Sequence, residues 1–245
     1  MKKKRIGAAS KGKRRLIDAQ ELDRWMTGIS HEFRTPLNSI LTLSDLILAG
    51  GEETTRSEIN EFMTMIHADG LRILRLLEKM ILSIDIESGN AFFDPKPVSL
   101  AEVFGQVVES MSSLANGREV KMGIGKNAVV MADEAKLRTL ASELLENAFF
   151  HGTPGAPISI SSRTAGNKIE ICLANTVSAE YKADPGKVFG KFIQGNEGDL
   201  TAKPPGIGVG LTLCREICEA MGGGIVCARP TKTKWVAKAS IPKAG

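Results

Sequence analysis

Gly28-Ile-Ser-His-Glu-Phe-Arg-Thr-Pro-Leu-Asn-Ser-Ile40 places His31, one of three histidines in 245 residues, beside Glu32 and five positions ahead of Pro36. On a helix, His31 and Thr35 share one face. Pro36 lacks the N–H that would bond the carbonyl of residue 32, and its ring presses on that carbonyl. The helix is therefore expected to bend or loosen just after His31. An exposed imidazole is a competent nitrogen nucleophile, and an adjacent carboxylate can orient its ring proton. Taken alone, the stretch equally describes a surface histidine on a kinked helix.

Outward from this motif, apolar residues recur at helical spacing from Leu16 to Leu48: Leu22, Trp25, Ile29, Phe33, Leu37 and Leu41 among them. The run "AGGEETT" interrupts the pattern, which resumes at Ile59 and continues through Leu74, Leu77, Ile81 and Ile84. Two long amphipathic helices joined by a short Gly-containing loop make a helical hairpin over 16–90. Two helices bury little by themselves, so a symmetric dimer forming a four-helix bundle is the natural completion. "SGNAFFDPKP" then reads as a linker punctuated by Gly89, Pro95 and Pro97.

The texture changes to α/β over 91–245. Ser99-Leu-Ala-Glu102 is a capping box that opens a helix, and Asp133 can cap another running to about Phe149. Short strands are expected near 120–125 and 128–131. "PISISSRT" and "KIEICLAN" alternate with period two about a turn at Ala165-Gly166-Asn167, as paired strands do. A weakly patterned, Gly/Pro/Lys-rich stretch over 176–209 precedes a helix at 210–221. "GIVCAR" and "KWVAKASI" are the closing strands.

Charge is unevenly spread. Residues 1–15 carry eight basic side chains and no acid, within a formal net charge of +4. The body is thus slightly acidic and the basic character is a tail. Such a tail suits a solvated arm, the cytoplasmic flank of a membrane span, anionic lipid or weak nucleic-acid binding. No apolar run approaches the roughly 20 residues that cross a membrane, so the chain as given is expected to be soluble. Cys172, Cys214, Cys218 and Cys227 form neither a disulfide framework nor a zinc site; they read as small buried apolar residues in a reducing, cytoplasmic setting.

Two further constellations can carry chemistry. Glu143 and Asn147 stand i, i+4 on one helix face, and Mg²⁺ takes hard oxygen ligands with phosphates filling the remainder. Gly206-Ile-Gly-Val-Gly-Leu211 leads into a helix, where glycines let backbone N–H groups approach a phosphate. This is not G-x-G-x-x-G, and no P-loop sequence occurs. Each segment alone also describes ordinary amphipathic helix or flexible loop.

In order and spacing, the three resemble the two-component sensor histidine kinases. "SHEFRTPLNSI" is similar to that family's H-box, "ELLENAFFHG" to the N-box, "VFGKF" to the F-box and "GIGVGL" to the second glycine box. The resemblance covers residues 20–245. It implies a dimerising phosphoacceptor hairpin followed by an α/β sandwich ATP-binding domain of the gyrase/Hsp90/histidine-kinase type. His31 would receive the γ-phosphoryl group of ATP, Glu32 would be its acid/base partner, and Thr35 would position water for dephosphorylating a response regulator. Asn147 with Glu143 would hold Mg²⁺. Gly206, Gly208 and Gly210 would close over the phosphates, with Phe189 and Phe192 packing the base of that lid. Such a core works as a homodimer, hands its phosphoryl group to a response-regulator receiver domain, and meets a membrane only through a sensor region outside this sequence.

The family's first glycine box, Asp-x-Gly-x-Gly, corresponds here to "LANTVSAEY", without glycine. Asn175 stands nearest to its adenine-binding aspartate, and its side-chain oxygen can still accept from an adenine amine. Phe150 occupies a place where lysine is common. These departures leave open a relative that acts mainly as phosphatase or signalling scaffold. His67 and His151 read as non-catalytic, although His151 lies close enough to the N-box to touch nucleotide. A dimeric bundle binding nucleic acid through the tail is disfavoured by the slightly acidic body.

Overall fold

The computed structural model describes residues 19–50, 54–115, 117–190 and 208–245. The chain divides into two compact units, one within Gly12–Leu82 and the other over Ser83–Gly245.

The first unit is built from two 32-residue helices, α1 (Ala19–Gly50) and α2 (Arg56–Glu87). Thr55 opens α2 with a reciprocal cap: its N–H and hydroxyl both donate to Glu58 Oε2, at 2.8 and 2.7 Å, while Glu58 N donates back to Thr55 Oγ1. α1 continues as helix through Pro36. The proline removes one ladder hydrogen bond without ending the helix, and the long apolar stripe on either side holds the segment. Leu43 and Leu76 are buried, whereas Leu37, Leu41, Leu74, Leu77 and Ile81 are each about half exposed.

The second unit is a two-layer α/β sandwich. Its sheet contains β2 (Val120–Gly123), β4 (Ile158–Ala165), β5 (Lys168–Thr176), β6 (Gly224–Thr231) and β7 (Lys234–Pro242) in the order β2-β4-β5-β7-β6. Only β2 and β4 run parallel; the other neighbours are antiparallel. The alternation of β5 sets the two faces. Ile169, Ile171 and Leu173 are buried, and Glu170 between them pairs with Arg163 across the strands at 2.6 Å. On the buried face lie α3 (Leu100–Ser110), α5 (Glu134–His151) and α6 (Gly210–Ala220), supplying Phe104, Leu137, Leu140, Leu144, Leu213 and Ile217. A short turn of helix, α4 (Ser112–Ala115), follows α3.

The expected caps form. Ser99 Oγ accepts from Glu102 N at 3.4 Å, and Asp133 Oδ1 accepts from Lys136 N at 3.1 Å. Asp133 Oδ2 also accepts from Asp94 N, at 3.0 Å, tying the preceding segment to the start of α5. The stretch read as linker ends in a strand, β1 (Lys96–Ser99), antiparallel to β3 (Val129–Ala132). Pro97 deprives this ladder of a donor, which a two-stranded ribbon tolerates. Pro230 falls where the β6–β7 register shifts, between Ala228 and Thr231.

Cys214 and Cys218 are fully buried as expected, but Cys172 and Cys227 are only partly so: Cys172 lies off the helix-covered face of β5, and Cys227 sits on the edge strand β6. Among the described residues no helix is long and apolar enough to cross a membrane. Nor does any group of three or more His, Cys, Asp or Glu among them suit a metal ion. The basic segment 1–15 lies outside the described residues.

Candidate functional site

On the hairpin, one turn of α1 carries His31, Glu32 and Thr35 with different exposures. His31 and Thr35 face solvent, while Glu32 is buried. Consecutive helix positions point about 100° apart, so an exposed residue and a buried one fit side by side. Arg72 of α2 reaches Glu32 Oε2 at 3.2 Å, an ion pair that joins residues 40 positions apart. Thr35 Oγ1 donates to the carbonyl of His31 at 3.2 Å. That bond tethers the threonine hydroxyl one turn from the histidine, on the same face.

In the sandwich, a small, open cavity is bounded by α5, β5, β7 and the start of α6. Asn147, His151, Asn175, Tyr181, Leu211 and Trp235 line it, and no lining residue carries a formal charge. The Nδ2 of Asn147 donates to the carbonyl of Glu143 at 2.8 Å, which leaves the side-chain oxygen as the free end of the amide. Asn175 is only 5% exposed, and its Nδ2 has no hydrogen-bond partner among the described residues. A buried, unpaired amide donor is costly in a stable fold, by about 1–3 kcal/mol, and marks a place where a polar ligand is welcome.

The aromatic side chains form a connected wall. Tyr181 meets Trp235 edge to face, with ring centroids 5.6 Å apart, and His151 meets Tyr181 at the same separation, tilted by 56°. Burial lowers the His151 pKa, so the imidazole is neutral at pH 7. Burial also pushes the Tyr181 phenol up to about 12, keeping its proton in place. The segment that carries Tyr181 is held by Arg229 of β6. Its guanidinium donates to the carbonyls of Ser178 and Ala179, at 3.4 and 3.2 Å, and to those of Tyr181 and Lys232.

α6 begins against α5. A Cβ on Gly210, the first residue of α6, would stand 2.5 Å from Glu143 Oε2 and 3.6 Å from Asn147 Nδ2. Glycine is what lets the two helices meet there. Glu143 is 4% exposed, so its carboxylate lies beneath the start of α6 rather than on the cavity wall. Gly208 adopts φ +66°, a left-handed conformation that suits glycine. Val209 at the N-cap offers no side-chain hydrogen bond to the start of α6. Phe189 is buried against α6: Thr212 Oγ1 donates to its carbonyl at 3.1 Å, and the Arg215 guanidinium lies 5.9 Å from its ring centre.

Of the residues singled out in the sequence, Asn147 and Asn175 thus meet at one cavity. Glu143 and Gly210 adjoin it, and Phe189 supports α6 from outside its wall. Gly206 and Phe192 lie outside the described residues. Arg72, Tyr181, Trp235 and Arg229 escaped sequence reasoning. Tyr181 is the only tyrosine of the chain, but its place depends on β5–β7 pairing, in which Asn175 is opposite Trp235.

Two family models match. The histidine kinase-, DNA gyrase B- and HSP90-like ATPase model covers residues 132–244, so the sandwich is an ATPase domain of that class. The His Kinase A (phospho-acceptor) domain model covers residues 21–89. With both in order, the chain belongs to the sensor histidine kinases and carries their catalytic core. A sensor-like histidine kinase of Rhizobium meliloti is 26% identical over 211 residues, covering 82% of this chain and 39% of its own length. This chain therefore spans well under half of that relative. Among solved structures, the histidine kinase AdeS of Acinetobacter baumannii aligns with a TM-score of 0.66 at 15% identity, over 88% of this chain and 98% of its own. Histidine kinase ThkA, solved in complex with the response regulator TrrA, aligns at 0.59 and 18% identity, over 92% of this chain and 63% of its own. At these identities the solved structures speak for the fold.

Proposed function

We propose that the chain is an ATP-dependent protein-histidine kinase core whose phosphoacceptor is His31. The observation that carries this reading is the exposed His31 beside a buried, ion-paired Glu32, on a chain that also holds a cavity with Asn147 and Asn175 in its wall at a glycine-rich helix start. ATP occupies the cavity, its base towards Asn175 and its phosphates towards the start of α6, where the backbone N–H groups and the helix dipole favour negative charge. Asn147 offers its side-chain oxygen to Mg²⁺. Glu143 adds negative charge from beneath Gly210, and the ion, when bound, neutralises charge on the phosphates.

The step is an in-line displacement. A ring nitrogen of His31 attacks the γ-phosphorus, the bond to the β–γ bridging oxygen breaks, and ADP leaves with that electron pair. The phosphorylated ring then sheds the proton of its other nitrogen, with the Glu32 carboxylate as acceptor and Arg72 fixing that carboxylate in place. An aspartate of a response-regulator receiver domain next takes the phosphoryl group, and the Thr35 hydroxyl positions water when the regulator is dephosphorylated. The half-exposed leucines and isoleucines of α1 and α2 support a symmetric dimer, which would bury them in a four-helix bundle.

Incubation with Mg²⁺ and γ-labelled ATP tests the kinase reading. Acid-labile label on the wild type, absent from His31→Ala, is the expected result; nucleotide binding with no label on either protein would refute it.

A further inference from the structure

The base end of the cavity is unusual in what it presents. Its side chains are uncharged, and two of them, Asn175 and His151, carry both donor and acceptor atoms. Its flat surfaces are the rings of Tyr181 and Trp235. The Nδ2 of Asn175, a residue 5% exposed, has no hydrogen-bond partner among the described residues. Resting on the reading of this cavity as the nucleotide site, we infer that its base subsite accepts adenine and guanine nucleotides with similar affinity.

The argument is one of matching edges. Adenine presents an amine donor at its 6-position beside a ring-nitrogen acceptor. Guanine presents a carbonyl acceptor at the same position beside a ring N–H donor. A carboxylate, which only accepts, cannot satisfy both members of either pair. A primary amide satisfies both members of both pairs, because a half-turn of its plane exchanges Oδ1 and Nδ2. Among the described residues no partner of Nδ2 opposes that half-turn. His151 adapts in the same way, since a neutral imidazole can carry its proton on either nitrogen. Aromatic faces stack on any base and add affinity without choosing among them. No side chain of the lining carries a charge, and its fixed donors, the Tyr181 hydroxyl and the Trp235 indole N–H, can meet the ring-nitrogen acceptors that both purines share.

Equilibrium binding to the full chain tests this without relying on turnover. Calorimetric titrations with Mg²⁺–ADP, Mg²⁺–GDP and Mg²⁺–pyrophosphate are compared for the wild type and Asn175→Leu. Leucine keeps the volume and removes the unpartnered donor, so the fold should survive, and a thermal melt checks that it does. The expected result is Kd values for ADP and GDP within about tenfold of each other, both at least about tenfold below that of pyrophosphate. Asn175→Leu should weaken ADP and GDP together, by about tenfold, and leave pyrophosphate unchanged. ADP binding with GDP weaker by about a hundredfold or more overturns the inference while leaving the kinase reading intact. Equal binding of all three ligands, or an Asn175→Leu variant that binds both nucleotides as the wild type does, overturns it too. Binding of no nucleotide at all overturns both.

Discussion

Gly210 and Glu143 meet where α6 starts on α5: a Cβ on the glycine would stand 2.5 Å from the carboxylate Oε2. The carboxylate is buried, so it has little room to retreat. Gly210→Ala should therefore shift α6 or Glu143, at a cost of about 1–3 kcal/mol in unfolding free energy. Thermal or denaturant unfolding measures it. Combining Gly210→Ala with Glu143→Ala should cost less than the sum of the two single variants, because the clash and its target vanish together. Strict additivity would show that the two residues do not collide.

Arg72 supplies the second prediction. Its removal leaves the buried Glu32 carboxylate without this partner at 3.2 Å. Arg72→Ala should destabilise the hairpin by about 1–2 kcal/mol, less than a fully buried pair would lose, because the guanidinium is a third exposed. It should also slow phosphorylation of His31, with Arg72→Lys restoring part of the rate. An unchanged rate would remove Glu32 from the proton-transfer role.

His151 makes stability depend on pH with a definite sign. Burial lowers its pKa in the folded state below the ordinary value, so the unfolded chain binds more protons between the two values. Stability is full above the unfolded pKa of about 6.5 and is lost as pH falls from there towards the folded value. His151→Phe should flatten that part of the unfolding profile. An equal slope in both proteins would place the titration elsewhere.

Arg229 holds the 178–181 segment through carbonyls spread along it. Arg229→Met keeps the stem and removes the donors. Amide exchange at 178–181 should quicken by about tenfold or more, while the β4–β5 ladder keeps its protection. Uniform acceleration across the sheet would instead indicate global destabilisation.

What the sequence revealed follows the range of the interactions involved. Period and capping are local, so the hairpin, the starts of α3 and α5 at Ser99 and Asp133, and the β4–β5 turn at Gly166 were all legible. β1 was not, because Pro95 and Pro97 signal a linker and its partner strand begins only at Val129. The aromatic wall was hidden for the same reason. Trp235 stands opposite Asn175 only through a pairing of strands 60 positions apart. Asn147 was readable from one helix turn, whereas the Arg72 partner of Glu32 required the hairpin to be folded.

The most direct test of the account is to locate the phosphoryl group. The chain is incubated with Mg²⁺ and ATP, quenched in alkali to preserve phosphohistidine, digested, and mapped by mass spectrometry. The account predicts phosphate on the peptide containing His31 and on neither His67 nor His151. Phosphate on either of those histidines, or none on His31 while nucleotide is bound, would contradict it.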